Sequence, residues 1–292
     1  MKLFSGLEHI VRLNEPMGGH TWLGLGGPAE YFVQPGNLDE LQTVARRCRE
    51  NDVPMHVLGG GANLLVTDAG VKGAVIHLGQ GEFTDFSWSG ETLSANAGAD
   101  MGKIVLASVR QGMSGLECLT GIPGTVAGCV KMNAGGAFGD VGNIVETVEV
   151  MNSDGERFTR HRTDLAFAYR STNIGATFIL SAAFKLTRDD PHNILRQIKR
   201  IWIYKKNTQP LSYSSCGCIF KNPRGLSAGA LIDQAGLKGR RVGGAFVSQK
   251  HANFILVEPG ASATDVLKLI DVVRHKVYKA REVFLELEIE VW

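Results

Sequence analysis

The 292-residue chain has no uninterrupted apolar run approaching the roughly 18 residues that a membrane-spanning helix needs, so no membrane insertion is expected. Its first ten residues, Met-Lys-Leu-Phe-Ser-Gly-Leu-Glu-His-Ile, lack the apolar stretch of about 7–15 residues that marks a secretion signal, and a cytoplasmic location is expected. An excess of one charge is missing too. The 31 basic and 29 acidic residues leave a net charge of +2, which argues against a nucleic-acid partner, since such binders carry a strongly basic domain. Cysteine is scarce and odd in number: Cys48, Cys118, Cys129, Cys216 and Cys218 are mostly scattered and form no disulfide framework. Cys216-Gly217-Cys218 has no second Cys/His pair at zinc spacing, so no metal site is expected. Repeats of fixed period and low-complexity tracts are absent as well. Glycine is what the chain has in excess, 36 of 292 residues against a usual share of about 7%. These glycines are clustered, which in a globular chain means backbone brought close to something.

Apolar periodicity divides the chain into three α+β units. In the first, Ala29–Val33 reads as a strand closed by Pro35, and Asn37 caps a helix with Glu40 completing a box-like start. Leu38, Leu41, Val44, Ala45 and Cys48 recur at helical spacing, which puts Cys48 in the core. A short strand, Met55–Leu58, then runs into Gly59-Gly60-Gly61-Ala62-Asn63, and Leu64-Leu65-Val66 resumes the extended pattern. The second unit starts near Gly73 and holds a helix over Met101–Gln111 and a glycine-rich stretch from Gly112 to Gly142. Strands over Val145–Asn152 and Glu156–Arg162 follow, joined by a hairpin at Asp154-Gly155, and then a strand over Phe178–Leu186. Past Pro191, Ile194, Ile198, Ile201 and Trp202 sit at helical spacing. Arg196, Lys199, Arg200, Lys205 and Lys206 among them read mainly as a solvated face. Helices over Ala228–Ala235 and Ala263–Lys279 and strands over Asn253–Val257 and Phe284–Val291 complete the third.

Two glycine segments carry the chemical interest. In Gly59–Asn63 consecutive glycines let backbone N–H groups converge on an anion such as a pyrophosphate. This is no Walker loop, because no Gly-Lys-Ser/Thr follows, and no dinucleotide fingerprint, because a strand rather than a helix comes next. The segment from Ser114 to Gly139 is too long and too apolar for a surface linker, and suits a flat, partly apolar ligand with a polar tail.

Gly26-Gly27-Pro28-Ala29, Leu58–Val66 and Gly115–Asn133 closely resemble the UDP-N-acetylenolpyruvoylglucosamine reductases, the MurB flavoenzymes of peptidoglycan precursor synthesis. The likeness continues in order through Tyr169-Arg170-Ser171, Thr208-Gln209-Pro210, Ser215–Pro223, Ala235–Gly239 and His251-Ala252-Asn253-Phe254 to Leu287-Glu288-Ile289-Glu290-Val291. Length, and the lack of an extra segment after Arg170, match the shorter type II branch. The resemblance implies an α+β fold: a two-lobed FAD-binding region of the vanillyl-alcohol-oxidase/PCMH (VAO/PCMH) type, with lobes over 1–73 and 74–187, then an α+β substrate-binding domain over 188–292. It implies a monomer that binds FAD, takes electrons from NADPH and acts on a UDP-sugar, reducing an enolpyruvyl ether to the lactyl ether of UDP-N-acetylmuramate.

Carried over residue by residue, the resemblance gives FAD contacts to Gly59, Gly60, Gly61, Ala62, Asn63 and Leu64, and to Gly121, Ile122, Pro123, Gly124, Thr125, Gly128 and Asn133. It gives Arg170 the substrate carboxylate, Glu290 an assisting place there, and Tyr169, Lys206 and Asn222 the nucleotide-sugar. A guanidinium suits Arg170's task because it stays charged and grips a carboxylate with two prongs. Where relatives carry a proton-donating serine this chain has Cys218, whose thiol, with a reference pKa of about 8.5, is a far stronger acid. Gly24 stands where relatives often carry Arg or Lys. A PCMH-type oxidase of another alcohol or sugar would share both glycine loops, but it would leave Tyr169-Arg170, Cys218 and Glu290 unexplained together. A flavin-binding module without turnover would bind FAD and not oxidise NADPH.

Overall fold

A computed structural model describes residues 2–292; residue 1, the first of the expected first lobe, lies outside it. The chain divides into two compact units, each assembled from separated segments. Of the described residues, the first comprises 2–13, 31–60 and 72–205, and the second 14–30, 61–71 and 206–292. Among the described residues no helix is long and apolar enough to cross a membrane.

The first unit has two hydrophobic cores. One gathers around helix α1 (Leu38–Glu50) and includes Val33, Leu41, Val44, Ala45, Cys48, Ile76 and Phe178. Burial pushes the Cys48 thiol up to about 11. Asn37 caps α1, its side chain accepting from the Glu40 N–H. The box is not closed, because Glu40 reaches one residue further back and accepts from the Gly36 N–H at 2.7 Å. A four-stranded sheet runs in the order Val11–Pro16, Pro28–Val33, Val71–His77, Met55–Leu58, its last pair parallel.

The other core lies on a five-stranded antiparallel sheet, ordered Arg157–His161, Val145–Met151, Phe178–Lys185, Thr92–Asn96, Phe86–Ser89. Helices α2 (Met101–Gln111) and α3 (Val126–Lys131) supply Ile104, Val105, Val126 and Val130 to it. Asp100 caps α2 and Gly112, with φ +63, ends it in the left-handed conformation that glycine adopts without strain. The expected hairpin forms at Asn152–Glu156, where Gly155 has φ +84 and the Asn152 side chain accepts from the N–H groups of Asp154 and Glu156.

Helix α4 (Pro191–Thr208) corrects the sequence reading of its faces. Ile194, Ile198 and Ile201 are buried and Trp202 is half exposed, but Lys205, read with the solvated face, is the fourth member of the buried stripe.

The second unit packs α5 (Ala228–Gln234) and α6 (Ala263–Arg281) with a three-stranded antiparallel sheet, Arg241–Val242, Ala245–Val247 and Ile255–Val257. Ser262 and Asp265 form a reciprocal capping box at the start of α6, and the carboxylate of Asp68 accepts from the Ala263 and Thr264 N–H groups there. The strand expected over Phe284–Val291 is shorter than its alternation implies. Only Glu290–Val291 is regular strand, pairing in parallel with Leu64–Leu65, and an isolated bridge joins Leu287 to Phe220. The alternation survives in burial, with Leu285 and Ile289 inside and Glu286 and Glu290 outside.

Candidate active site

In the first unit the strand Met55–Leu58 delivers the chain into its glycine loop, and a second loop leads into the N-terminus of α3. The two backbones meet. A Cβ on Gly60 would stand 3.0 Å from the Gly124 Cα, and one on Gly59 2.9 Å from the Thr125 Oγ1, so any side chain would wedge them apart. Gly121 and Gly124 take φ values of +66 and +140. Thr125 caps α3, its hydroxyl accepting from the Gly128 N–H. Among the described residues of this unit, the N–H groups of Gly60, Gly124 and Thr125 donate to no protein acceptor. Glycine backbone bearing unpaired N–H donors is the donor set that phosphate and carbonyl oxygens demand, so these loops fit a flavin nucleotide. Gly61 belongs to the second unit, where it has φ +64 and a Cβ would overlap the His20 carbonyl oxygen.

Tyr169 and Arg170 form the two-residue tip between the paired strands Phe167–Ala168 and Ser171–Thr172. Arg170 has φ +54, a left-handed conformation costing a non-glycine residue roughly 1–2 kcal/mol, and such strain concentrates at functional sites. Its Nη1 donates to the Gly135 carbonyl at 2.9 Å, and the guanidinium lies 5.2 Å from the Tyr169 ring centre. Asn133 anchors this tip. It is buried, its Nδ2 donates to the Ala168 carbonyl at 2.9 Å and its Oδ1 accepts from the Gly142 N–H at 3.0 Å. The Asn133 side chain thus holds the backbone beside Arg170.

Sequence reasoning missed Lys205. Its residue is 9% exposed, its Nζ donates to the Thr120 carbonyl at 2.6 Å, and its stem lies against Gly121. Burial pushes its ammonium down to about 8. The signal was there: 194, 198, 201 and 205 fall on one helical stripe.

In the second unit Cys218 is half-buried and follows Gly217, whose φ is +79. The next residues are fixed by Asn253, 3% exposed, whose Oδ1 accepts from the Phe220 N–H at 3.0 Å while its Nδ2 donates to the Phe220 carbonyl at 2.8 Å. Its own carbonyl accepts from the Ile219 N–H. The Glu288 N–H donates to the Ile219 carbonyl, completing a rail on the other side. Neighbouring Cys216 is buried, which pushes its thiol up to about 12. Glu290 is exposed, and its N–H donates to the Asn63 carbonyl, while the Asn63 side chain donates to the Glu288 carbonyl at 3.0 Å. Asn63, Leu64 and Glu290 are therefore brought together. Asn222 accepts from the Ala228 N–H at the start of α5, and Lys206 is exposed, its carbonyl accepting from Lys250 Nζ. Gly24 has φ +70 with open space around it, so a side chain there would meet backbone strain rather than a clash.

Comparison with known proteins agrees along the whole chain. The C-terminal domain of UDP-N-acetylenolpyruvoylglucosamine reductase matches residues 209–292, and an FAD binding domain matches 29–159. The reductase of that name from Moorella thermoacetica is 39% identical over 292 residues, covering 100% of this chain and 96% of the relative. That from Heliobacterium modesticaldum is 40% identical over 281 residues, 95% of this chain and 89% of its own. The solved MurB structure from Thermus caldophilus superposes with a TM-score of 0.85 at 40% identity, covering 97% of this chain and 99% of that one. The α+β architecture, with an FAD binding domain followed by a reductase C-terminal domain, is that of this family. The chain belongs to the UDP-N-acetylenolpyruvoylglucosamine reductases and is an FAD-containing oxidoreductase.

Proposed function

We propose that this protein reduces UDP-N-acetyl-3-O-(1-carboxyvinyl)-glucosamine to UDP-N-acetylmuramate, with NADPH as reductant, as a cytoplasmic monomer serving peptidoglycan precursor synthesis. The observation that carries this reading is a likeness of 39% identity to a reductase of that name, running through every residue of the chain. The FAD lobes are assigned to 1–73 and 74–187 and the substrate domain to 188–292, as the resemblance implies.

Bound FAD supplies the redox chemistry, passing an electron pair from NADPH to the vinyl ether. The protein supplies position and charge. Reduction at the terminal vinyl carbon leaves negative charge beside the substrate carboxylate, and a preorganised cation aimed at that carboxylate is the largest electrostatic contribution such a site can make. Arg170 is assigned this task; its strained tip, held through Asn133, presents a guanidinium of fixed backbone geometry. Cys218 gives its thiol proton to the carbon, with Asn253 fixing the backbone two residues on. Glu290 assists at the carboxylate, and Tyr169, Lys206 and Asn222 hold the nucleotide-sugar.

The test is anaerobic. The yellow FAD-loaded protein should bleach on addition of NADPH, and its colour should return on addition of the enolpyruvyl nucleotide-sugar, with one lactyl ether formed per flavin. Bleaching without recovery would refute the substrate assignment, and a protein that cannot be loaded with FAD would refute the flavin chemistry altogether.

A further inference from the structure

A buried ammonium needs a partner, because removing a charge from water costs several kcal/mol unless an opposite charge or a full set of acceptors replaces the water. Lys205 has neither. Among the described residues no carboxylate pairs with it, and of its three N–H donors one is used, on the Thr120 carbonyl. The charged or ionisable groups that act on it are the Cys118 thiol, which burial keeps protonated, and Arg170, a second cation. Thr120 itself is 6% exposed, and its Oγ1 is a buried side-chain atom without a hydrogen-bond partner. Two unsatisfied polar groups thus sit on adjoining positions, directly before Gly121. The Lys205 stem and the Trp202 ring pack against that glycine, at 3.5 and 3.1 Å from where its Cβ would be.

Protein interiors rarely leave such groups unanswered, and a lone cation beside a hydroxyl donor is the arrangement that a negatively charged, oxygen-bearing ligand completes. The ligand is narrowed by what the pair adjoins: the Gly121–Thr125 loop, whose free N–H groups suit a flavin nucleotide. We propose that Lys205 and Thr120 are FAD-binding residues, a cation and a hydroxyl that answer negative charge on the cofactor. The unliganded protein carries the cost of keeping that cation buried. Lys205 also acts as a post, its bond to the Thr120 carbonyl setting where the Gly121 turn begins. The inference rests on the cofactor site of the family, and not on the substrate or reductant.

The experiment compares wild type with Lys205→Met, Lys205→Arg and Thr120→Val as cofactor-free proteins. It reads FAD affinity by quenching of flavin fluorescence, and thermal midpoint with and without FAD. Loss of a charge-assisted contact should weaken FAD binding about tenfold to a hundredfold in Lys205→Met, with Lys205→Arg within about fivefold of wild type and Thr120→Val about tenfold weaker. Cofactor-free Lys205→Met should melt no lower than wild type, because an unpaired charge has been removed, while its FAD-induced rise in midpoint shrinks. Riboflavin, whose oxidised ring is neutral and which lacks the diphosphate, locates the contact: a loss confined to FAD assigns the pair to the diphosphate, and an equal loss for riboflavin would overturn the charge pairing. Unchanged FAD affinity in Lys205→Met would overturn the inference, as would weakened binding of UDP alone with FAD untouched. Failure of the wild type to bind FAD would overturn the cofactor site itself.

Discussion

Asn253 offers the sharpest stability test. Its side-chain amide reads both backbone groups of Phe220, at 3.0 and 2.8 Å, in a place where Asn253 is 3% and Phe220 1% exposed. Leucine at 253 removes both partners and leaves a buried N–H and a buried carbonyl unsatisfied, at about 1–3 kcal/mol each. Leucine's extra apolar burial offsets about 1 kcal/mol, so the net loss is about 1–5 kcal/mol, against a usual total of 5–15 kcal/mol. That is a fall of roughly 2–8 °C in thermal midpoint for a chain of this size. Asn253→Asp adds a pH signature. The carboxylate still accepts from the Phe220 N–H but faces the Phe220 carbonyl with no proton to offer. Its folded pKa must then rise above the unfolded value of about 3.9, so the folded state binds more protons and stability grows as pH falls. Circular-dichroism melts of the three proteins at pH 7 and pH 5 check this. Asn253→Asp should recover part of its deficit at pH 5, and Asn253→Leu should not. A loss below about 1 kcal/mol for leucine, or a deficit for aspartate that ignores pH, would refute the clamp.

Other outcomes follow from single contacts. Gly61→Ala combines a left-handed backbone with overlap on the His20 carbonyl, and should lose at least about 2 kcal/mol in a urea melt together with most FAD affinity. Asp68→Ala removes the acceptor for the Ala263 and Thr264 N–H groups and the Thr264 hydroxyl, a loss of about 1–2 kcal/mol at pH 7. The Thr264 hydroxyl, foremost, holds the Asp68 carboxyl below its usual range, so this stability is present above about pH 4 and is lost as pH falls further; the variant's deficit should vanish in acid melts. Lys205, held near 8 by burial against about 10.4 when unfolded, makes wild-type folding more favourable as pH rises from 8 to 10. Any advantage of cofactor-free Lys205→Met should therefore narrow across that window. Cys218→Ser should retain substantial activity, whereas Cys218→Ala should still be bleached by NADPH yet stall before product; full turnover by the alanine variant would exclude Cys218 as proton donor.

Much of the local structure was legible from short-range rules. Helix α2 begins and ends where Asp100 and Gly112 dictate, and α1 starts at its asparagine cap. The glycine loops were visible as clusters, and their resemblance to the reductases named the cofactor. Three things were not legible, each because it depends on residues far apart in sequence. Lys205 looked like one charge in a basic run, and only the packing around Gly121 makes it interior. Asn133 sat in a glycine-rich segment, and nothing local announced that its side chain bonds Ala168 and Gly142. The alternation from Leu285 to Val291 promised a long strand, but regular pairing is limited to the two residues that find Leu64 and Leu65, with Leu287 bridged singly to Phe220. Alternation reports which face is apolar and says nothing of whether a neighbouring strand is present to bond.

That short parallel pairing has a temporal consequence. The Asn63 side chain bonds to a carbonyl 225 positions downstream. At bacterial and eukaryotic elongation rates of about 5–20 residues per second, the exit of the Gly59–Asn63 loop waits roughly 10–45 s on the ribosome before its partner strand has been made. A chain cut before Glu288 would carry the whole glycine loop and still lack the carbonyl that holds the Asn63 side chain.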